Sequence, residues 1–435
     1  MAEIRPFRGL HYKQSIITDL SAVICPPFDT ITPKLLEELY SINEYNFVRL
    51  EAARELPQDS ATDSKYTRST ATLEHWLSEG ILEVDHTPAI YLHDHYFMHQ
   101  GKERRRRAII VRVRLEEWEK KVVRPHEGTL AGARDDRLRL LSSLQSNTSP
   151  ILAMYQDPDR HISSVLSAQE RSQLLISSGR IGGERHNLWA ITDSSAINEI
   201  STSLADQPLY IADGHHRYTS ALTYRRERSV GLPSSSGDEA FNFVMMTLVD
   251  FADPGLIILP PHRLVRGISR PVLDGLVARL DVFFEIEEWS LSISNVWRRI
   301  DDLLAETDTT RLVFCGPSAD RLSVLTPRDP SAIGQIIPYF HSQLYQTLDV
   351  SIVDHVILDN LLELGSSDAS GITYSFDRQD AVEKVRSGDY QLAFLLRPVT
   401  PQLIKAVADN GDRMPGKATY FYPKAPAGLI LNRLV

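Results

Sequence analysis

The sequence is short of cysteine, of long apolar runs and of surplus positive charge. Only Cys25 and Cys315 occur in 435 residues. They lie far apart, and neither sits in a CxxC or Cys/His cluster. A disulfide framework or a cysteine-based zinc site would need more. Two lone thiols suit a reducing cytosol, so a cytoplasmic location is expected. The longest apolar stretches, such as 256–261 and 392–396, have strand length. A membrane helix needs roughly 20 such residues, so no membrane association is expected. Residues 1–8 are polar and lack the apolar core of a signal peptide. Lys and Arg number 47 against 57 Asp and Glu, a net charge of −10. That balance argues against a nucleic-acid-coating protein, because such binding leans on cations that neutralise phosphates. It leaves room for a local basic site.

What is present is ordinary globular material, 42% hydrophobic and 24% charged, with ample apolar surface to bury. At roughly 150 residues per domain the length suggests two or three domains, or one large unit with an appendage. Pro26-Pro27 forces an extended approach. Thr32 then reads as an N-cap, with Pro33 at the first helical position. A second helix is expected over about 65–79, stopped by Gly80. A hairpin follows over 89–98 and 106–115, with Gln100-Gly101 at its turn. A helix over 193–204 leads to a buried strand at 208–212, a tight turn and another helix ending near 228. The Gly- and Ser-rich stretch 231–237 reads as a loop. From about 271 onward helices and strands alternate. The expected fold class is therefore α+β (mixed α/β), with a soft boundary near Arg266 that separates 1–265 from 266–435.

The strongest local signal is Ile211-Ala-Asp-Gly-His-His-Arg-Tyr218. A buried strand ends in a glycine, which takes conformations closed to other residues, and a helix starts at once. Helix starts offer backbone N–H groups and a favourable dipole to anions. His215, His216 and Arg217 bring donors and positive charge to the same place, and Arg can grip phosphate with two parallel bonds. Asp213 can hold a metal, orient a histidine or act as a base. The plain alternative is a helix start capped by Asp213.

A second signal is Arg124-Pro-His-Glu-Gly-Thr, followed by Ala131-Gly-Ala-Arg-Asp-Asp-Arg-Leu138. His126 and Glu127 suit a loop after a strand. Glu127 is a candidate general base or magnesium ligand, since hard cations prefer carboxylate oxygen. Asp135 and Asp136 would cap a helix that starts near Arg137. A third signal is the double-proline loop Cys25–Ile31, with Asp29 and Thr30 at its tip, poised to close on a substrate or simply to enter a helix. The fourth is Met414–Lys424, where Lys417 and Lys424 flank Thr419 and three aromatics. Both lysines are phosphate candidates. Arg104–Arg107 reads as a solvated strand edge that discourages further pairing. His93, His95 and His99 share one face of a strand. That spacing suits a metal, although no matching carboxylate or cysteine cluster is evident nearby in sequence.

Taken together, the stretches Cys25–Ile31, Arg124–Leu138, Tyr210–Tyr218, Leu259–Val265 and Met414–Leu429 resemble the bacterial and archaeal family called domain of unknown function 1015. The resemblance runs in order from Pro6 to Gly428; Ala418 stands where a serine is expected. It implies a ParB/sulfiredoxin-like nucleotide-binding core at 1–265 and a smaller C-terminal α/β domain that contributes a loop to the site. In that superfamily a Gly-x-x-Arg turn holds nucleotide phosphates, which implies Gly214, His215, His216 and Arg217 as the grip. Sulfiredoxin carries a catalytic cysteine in its turn; the histidine here argues against sulfinic-acid reduction. The net charge argues against the DNA-binding branch. The turn is most similar to that of the free-serine kinases.

The resulting expectation is a phosphotransferase that uses ATP or ADP with magnesium and acts on a small hydroxyl metabolite, free L-serine first. Asp213, His216, Glu127 and His126 are the catalytic candidates, and Asp213 and Glu127 the magnesium ligands. The partners are a nucleotide and a small molecule, with a homodimer compatible. A phosphatase acting on phosphoserine and a nucleotide-binding regulator without turnover are the competing expectations.

Overall fold

Period-two alternation between 90 and 113 builds the centre of the fold. Ile90 and Leu92 point into one apolar cluster and Tyr91 into another, as successive strand side chains must. Ile109, Val111 and Val113 share the first cluster, while Ile110 lies in the second. A sheet buried on both faces results. The structure is a computed structural model that describes the chain except residues 1, 61, 130, 170–173, 179–182, 231–236, 307–309, 317, 319 and 365–370. The Gly/Ser-rich stretch expected as a loop lies almost wholly outside the described residues. None of the described helices is long and apolar enough to cross a membrane.

The chain divides into two compact units. The first comprises Met1–Pro125, Thr129–Ile257 and Pro423–Val435; the second comprises His126–Gly128 and Ile258–Tyr422. The fold class is mixed α/β in both.

The first unit holds a nine-stranded mixed sheet. In chain order its strands are β1 (Ile4–Arg5), β2 (Ile90–His99), β3 (Lys102–Arg114), β4 (Val123–Arg124), β5 (Ile151–Tyr155), β6 (Leu174–Ser177), β7 (Arg185–Ile191), β8 (Leu209–Asp213) and β9 (Phe243–Asp250). Their spatial order is β4-β8-β5-β9-β3-β2-β7-β6, with β1 paired to β3. The helices that matter here are α1 (Pro33–Ile42), α2 (Lys65–Ser78), α3 (Ala131–Leu144), α4 (Ser194–Ala205) and α5 (His215–Ser229). Thr32 caps α1 by accepting from the Leu35 N–H, and Asp193 caps α4 through the Ala196 N–H. Leu140 and Leu144 of α3 and Leu73 and Trp76 of α2 fill one cluster; Ile200 and Leu204 of α4 fill the other.

The C-terminal segment belongs to this unit. Leu431 exchanges both backbone hydrogen bonds with Leu10, and Ala427 does so with Cys25. The second unit carries a six-stranded, wholly antiparallel sheet built from 262–265, 284–290, 312–315, 321–327, 372–375 and 392–395. Ile300 and Leu304 from the helix Val296–Ala305 and Val382 and Val385 from the helix Arg378–Arg386 join its core.

Two expectations are corrected. The basic run Arg104–Arg107 is no solvated edge, because β3 starts at Lys102 and pairs with β2 through the run. Arg106 is 3% exposed. Arg107 makes two bonds of 2.8 and 2.6 Å to Asp94. The partners that make this possible lie on other strands and could not be seen locally. Helix α3 also starts at Ala131, not near Arg137. Asp136 is therefore no cap. It pairs sideways with Lys65 at 2.8 Å and with Arg137, and these cations hold its carboxyl down at about 2 against the cost of burial.

Gly428 fixes how the C-terminal segment packs. Its φ is +96°, and a β-carbon there would sit 2.7 Å from the Phe47 ring. Gly428→Ala is expected to destabilise the protein by about 2 to 4 kcal/mol through backbone strain and overpacking. Urea denaturation checks this as a lower midpoint at unchanged slope.

Candidate functional site

Strand β8 ends in an irregularity. Tyr210 and Ile211 pair with Met154 and Ala153, but Asp213, not Ala212, pairs with Leu152. A bulge of this kind takes up one extra residue and re-aims the next side chain. Cross-strand partners share a face, so Asp213 points to the side of Tyr210 rather than that of Ile211. Gly214 follows at φ +96°, a conformation that suits glycine, and is the N-cap of α5. It brings no side-chain acceptor to the first turn. A side chain here would also meet Arg217, whose Nε lies 3.0 Å from where a β-carbon would stand. The helix starts directly after this glycine, and His215, His216 and Arg217 form its first turn.

Asp213 is gripped by two cations. Arg217 Nη2 donates to its Oδ2 at 2.8 Å, and the Lys424 ammonium donates to its Oδ1. Arg217 Nη1 also donates to the Pro150 carbonyl at 2.6 Å, while its Nε has no hydrogen-bond partner among the described residues. The Asp213 side chain is 20% exposed and that of Lys424 14%. Burial works to raise the Asp213 carboxyl, but Lys424 and Arg217 hold it well below the ordinary carboxylate range. Burial likewise works to lower the Lys424 ammonium; Asp213 and Asp29 more than offset it, so it lies above the ordinary lysine range. Pro423, next to Lys424, accepts from Arg106 Nη2 at 3.0 Å. The segment 423–424 is thereby fixed across the sheet face at two successive residues.

The structure therefore brings together Asp213, Gly214, His215, His216, Arg217 and Lys424 in the first unit, with Asp29 close enough to act on Lys424. Asp29 and Thr30 lie in the short 3-10 turn Phe28–Thr30. The Thr30 hydroxyl donates to the Pro27 carbonyl at 2.8 Å, which accounts for it structurally. Asp213 does not fit a resident magnesium ion, because each of its oxygens already accepts from a cation that the metal would have to displace.

His126, Glu127 and Lys417 belong to the second unit. The buried His126 lies 3.0 Å through Nε2 from the Thr419 hydroxyl, and its carbonyl accepts from the Met414 N–H at 2.7 Å. Glu127 Oε1 accepts from the Lys417 backbone N–H at 2.9 Å. That bond pins Lys417 in a left-handed conformation, φ +58°. The Lys417 side chain is exposed. Arg263 crosses the same loop, donating to the Lys417 carbonyl at 3.0 Å and to Asp354 at 3.1 and 3.0 Å. Arg263 thus braces the loop that carries Lys417. Arg106, expected with its neighbours on a solvated edge, is instead buried against His95 and the Pro423 carbonyl.

The family described as "Protein of unknown function (DUF1015)" matches residues 4–351. No curated protein matches the sequence. Among solved structures, a conserved hypothetical protein from Pyrococcus furiosus is similar at 12% identity and a TM-score of 0.35, over 74% of this chain and 95% of that one. A free serine kinase in complex with AMP is similar at 11% identity and a TM-score of 0.36, over 74% and 92%. SbnI from Staphylococcus aureus, truncated at its C-terminus, follows at 10% and 0.34, over 74% and 87%.

Removing Lys424 leaves Asp213 with one cation instead of two. Lys424→Met is expected to cost on the order of 2 kcal/mol, below the range for a fully buried pair because both groups keep some solvent. Adding Asp213→Asn should recover part of that loss, so the double variant falls short of the sum. Chemical denaturation of the four proteins checks it. The signs with pH follow by linkage. Asp213, with its folded value depressed, contributes stability above the ordinary carboxylate range that is lost as pH falls through and below it. Lys424, with its value raised, contributes stability below the ordinary lysine range that is lost as pH rises above it.

Proposed function

The chain belongs to the DUF1015 family, and we propose that it is a nucleotide-dependent phosphotransferase acting on a small hydroxyl metabolite, with free L-serine the first candidate substrate. The observation that carries this reading is the cation pair Arg217 and Lys424, oriented by Asp213 at a helix start that a glycine leaves without a side-chain cap. A helix N-terminus favours anions. An arginine and a lysine fixed beside it supply the charge and the directed donors that phosphate oxygens require. Phosphoryl transfer demands little covalent chemistry of the protein. Positioning and electrostatic stabilisation of the transferring group do most of the work.

In this reading Arg217 and Lys424 bind nucleotide phosphate, and His215 and His216 add donors in the same turn. Asp213 holds the two cations in place. Because those cations keep it ionised, it is a poor proton acceptor and acts as a positioning residue. The nucleotide, ATP or ADP, would bring its own magnesium, which neutralises phosphate charge. The sequence carries no Walker-type phosphate loop around the turn. Free L-serine comes from the similarity of Asp213–Arg217 to the turn of the free-serine kinases.

The test is phosphoserine formation from L-serine with ATP or ADP and magnesium, alongside nucleotide binding by calorimetry. Arg217→Met is expected to weaken nucleotide binding at least about tenfold, or 1.4 kcal/mol. Unchanged binding in both Arg217→Met and Lys424→Met would sink the assignment. Glu127→Gln tests the proton-acceptor role expected of that residue, and should lower turnover more than nucleotide affinity. Phosphate release from phosphoserine without nucleotide would favour a phosphatase. Tight nucleotide binding with no turnover on a panel of small alcohols would favour a regulator.

A further inference from the structure

A second cluster lies on the central sheet of the first unit, apart from the residues assigned to phosphate. His95 of β2 pairs across the sheet with His186 of β7 on one side and with Arg106 of β3 on the other. The three side chains form a row on one face. Glu184 stands two residues before His186 and reaches the same point. One ligand atom from each of His95, Glu184 and His186 lies within 4.8 Å of the others. His95 Nε2 is 2.7 Å from Glu184 Oε2, and His186 Nδ1 is 3.1 Å from His93 Nε2. The His95 and His186 rings are tilted against each other with centroids 4.1 Å apart.

We propose that His95, His186 and Glu184 form a binding site for a divalent transition-metal ion, with zinc the ion of choice. Two imidazoles and one carboxylate with a further position open is a donor set of catalytic zinc sites, and imidazole selects against magnesium and calcium. A tetrahedral ion needs its ligand atoms about 3.3 Å apart. His95 Nε2 and Glu184 Oε2, at 2.7 Å, must part slightly to admit an ion; the Glu184 side chain, 29% exposed against 1% for His95, can move and offers the entry path. His93 supplies the outer contact that metal-bound histidines require. In the tautomer whose Nδ1–H donates to His93 Nε2, Nε2 of His186 keeps its lone pair for the ion.

Arg106 sets the affinity. It donates to His95 Nδ1 at 3.1 Å, which places the imidazole proton on Nε2, facing Glu184. An ion takes that proton's place. The proton moves to Nδ1, and Arg106 gives up this bond while it keeps the one to the Pro423 carbonyl. The site is thus built with a brake. The inference does not depend on the phosphotransfer reading.

Cobalt(II) titration of the chelator-treated, folded protein tests it, with visible absorption as the readout and zinc as the competitor. The expected result is one saturable equivalent with a four-coordinate spectrum, displaced by zinc. His186→Asn should abolish the spectrum, and Glu184→Gln should weaken binding on the order of tenfold or more. Arg106→Gln, whose amide oxygen can accept from Nδ1–H, should tighten binding by a similar factor. Absence of saturable binding in the folded wild-type protein would overturn the site and leave a hydrogen-bonded histidine cluster. A spectrum unchanged in both His186→Asn and Glu184→Gln would overturn it too. Glu184 is partly exposed, so that variant keeps the test decisive should His186→Asn fail to fold.

Discussion

A carboxylate that a fold has largely removed from water must be matched by cations held at hydrogen-bonding distance, or it will not stay charged. Asp213 imposes that demand here, and much of the first unit is arranged to meet it. The bulge in β8 turns its side chain to the face where cations stand. Gly214 lets the chain turn into α5 and leaves room for the Arg217 guanidinium to fold back over it. The C-terminal segment returns to lay Lys424 against the other oxygen, braced by its pairing with Leu10 and Cys25. Two remote parts of the sequence are thus tied together by one charge.

The same sheet face sorts its polar groups by what each must neutralise. Arg106 is fully enclosed, and burial brings it down to about 10, with Asp253, Glu184 and Asp213 opposing that fall. Burial raises Glu184 to about 7, and Asp253 to about 6. Asp213, with two cations in direct contact, stays low, while Glu184 and Asp253, with guanidinium groups only nearby, rise. Contact decides the outcome, because a hydrogen-bonded partner replaces lost hydration and a distant charge does not.

Much of this was legible along the chain. The Thr32 cap, the hairpin at 90–114 and the strand–turn–helix at 209–229 are local patterns, and local patterns are what a sequence displays directly. The clustering of Asp213 with Gly214 and Arg217 is equally local. Other features were hidden because their partners are remote. Asp213 and Lys424 are 211 residues apart, and Arg106 meets Pro423 across 317. The carboxylate that would complete a histidine cluster with His95 is Glu184, 89 residues on, just before strand β7. Asp136 looked like a cap because nothing nearby announced Lys65.

The long separation in sequence between Asp213 and Lys424 has a consequence during synthesis. On a ribosome adding about 5 to 20 residues per second, the lysine follows the aspartate by roughly 10 to 40 s. Arg217, four residues after Asp213, is made almost at once and can shield the acid on its own. The nascent chain therefore carries a half-compensated charge beside an unfinished sheet edge. That interval, rather than the finished protein, is when this acid is most exposed to a wrong partner.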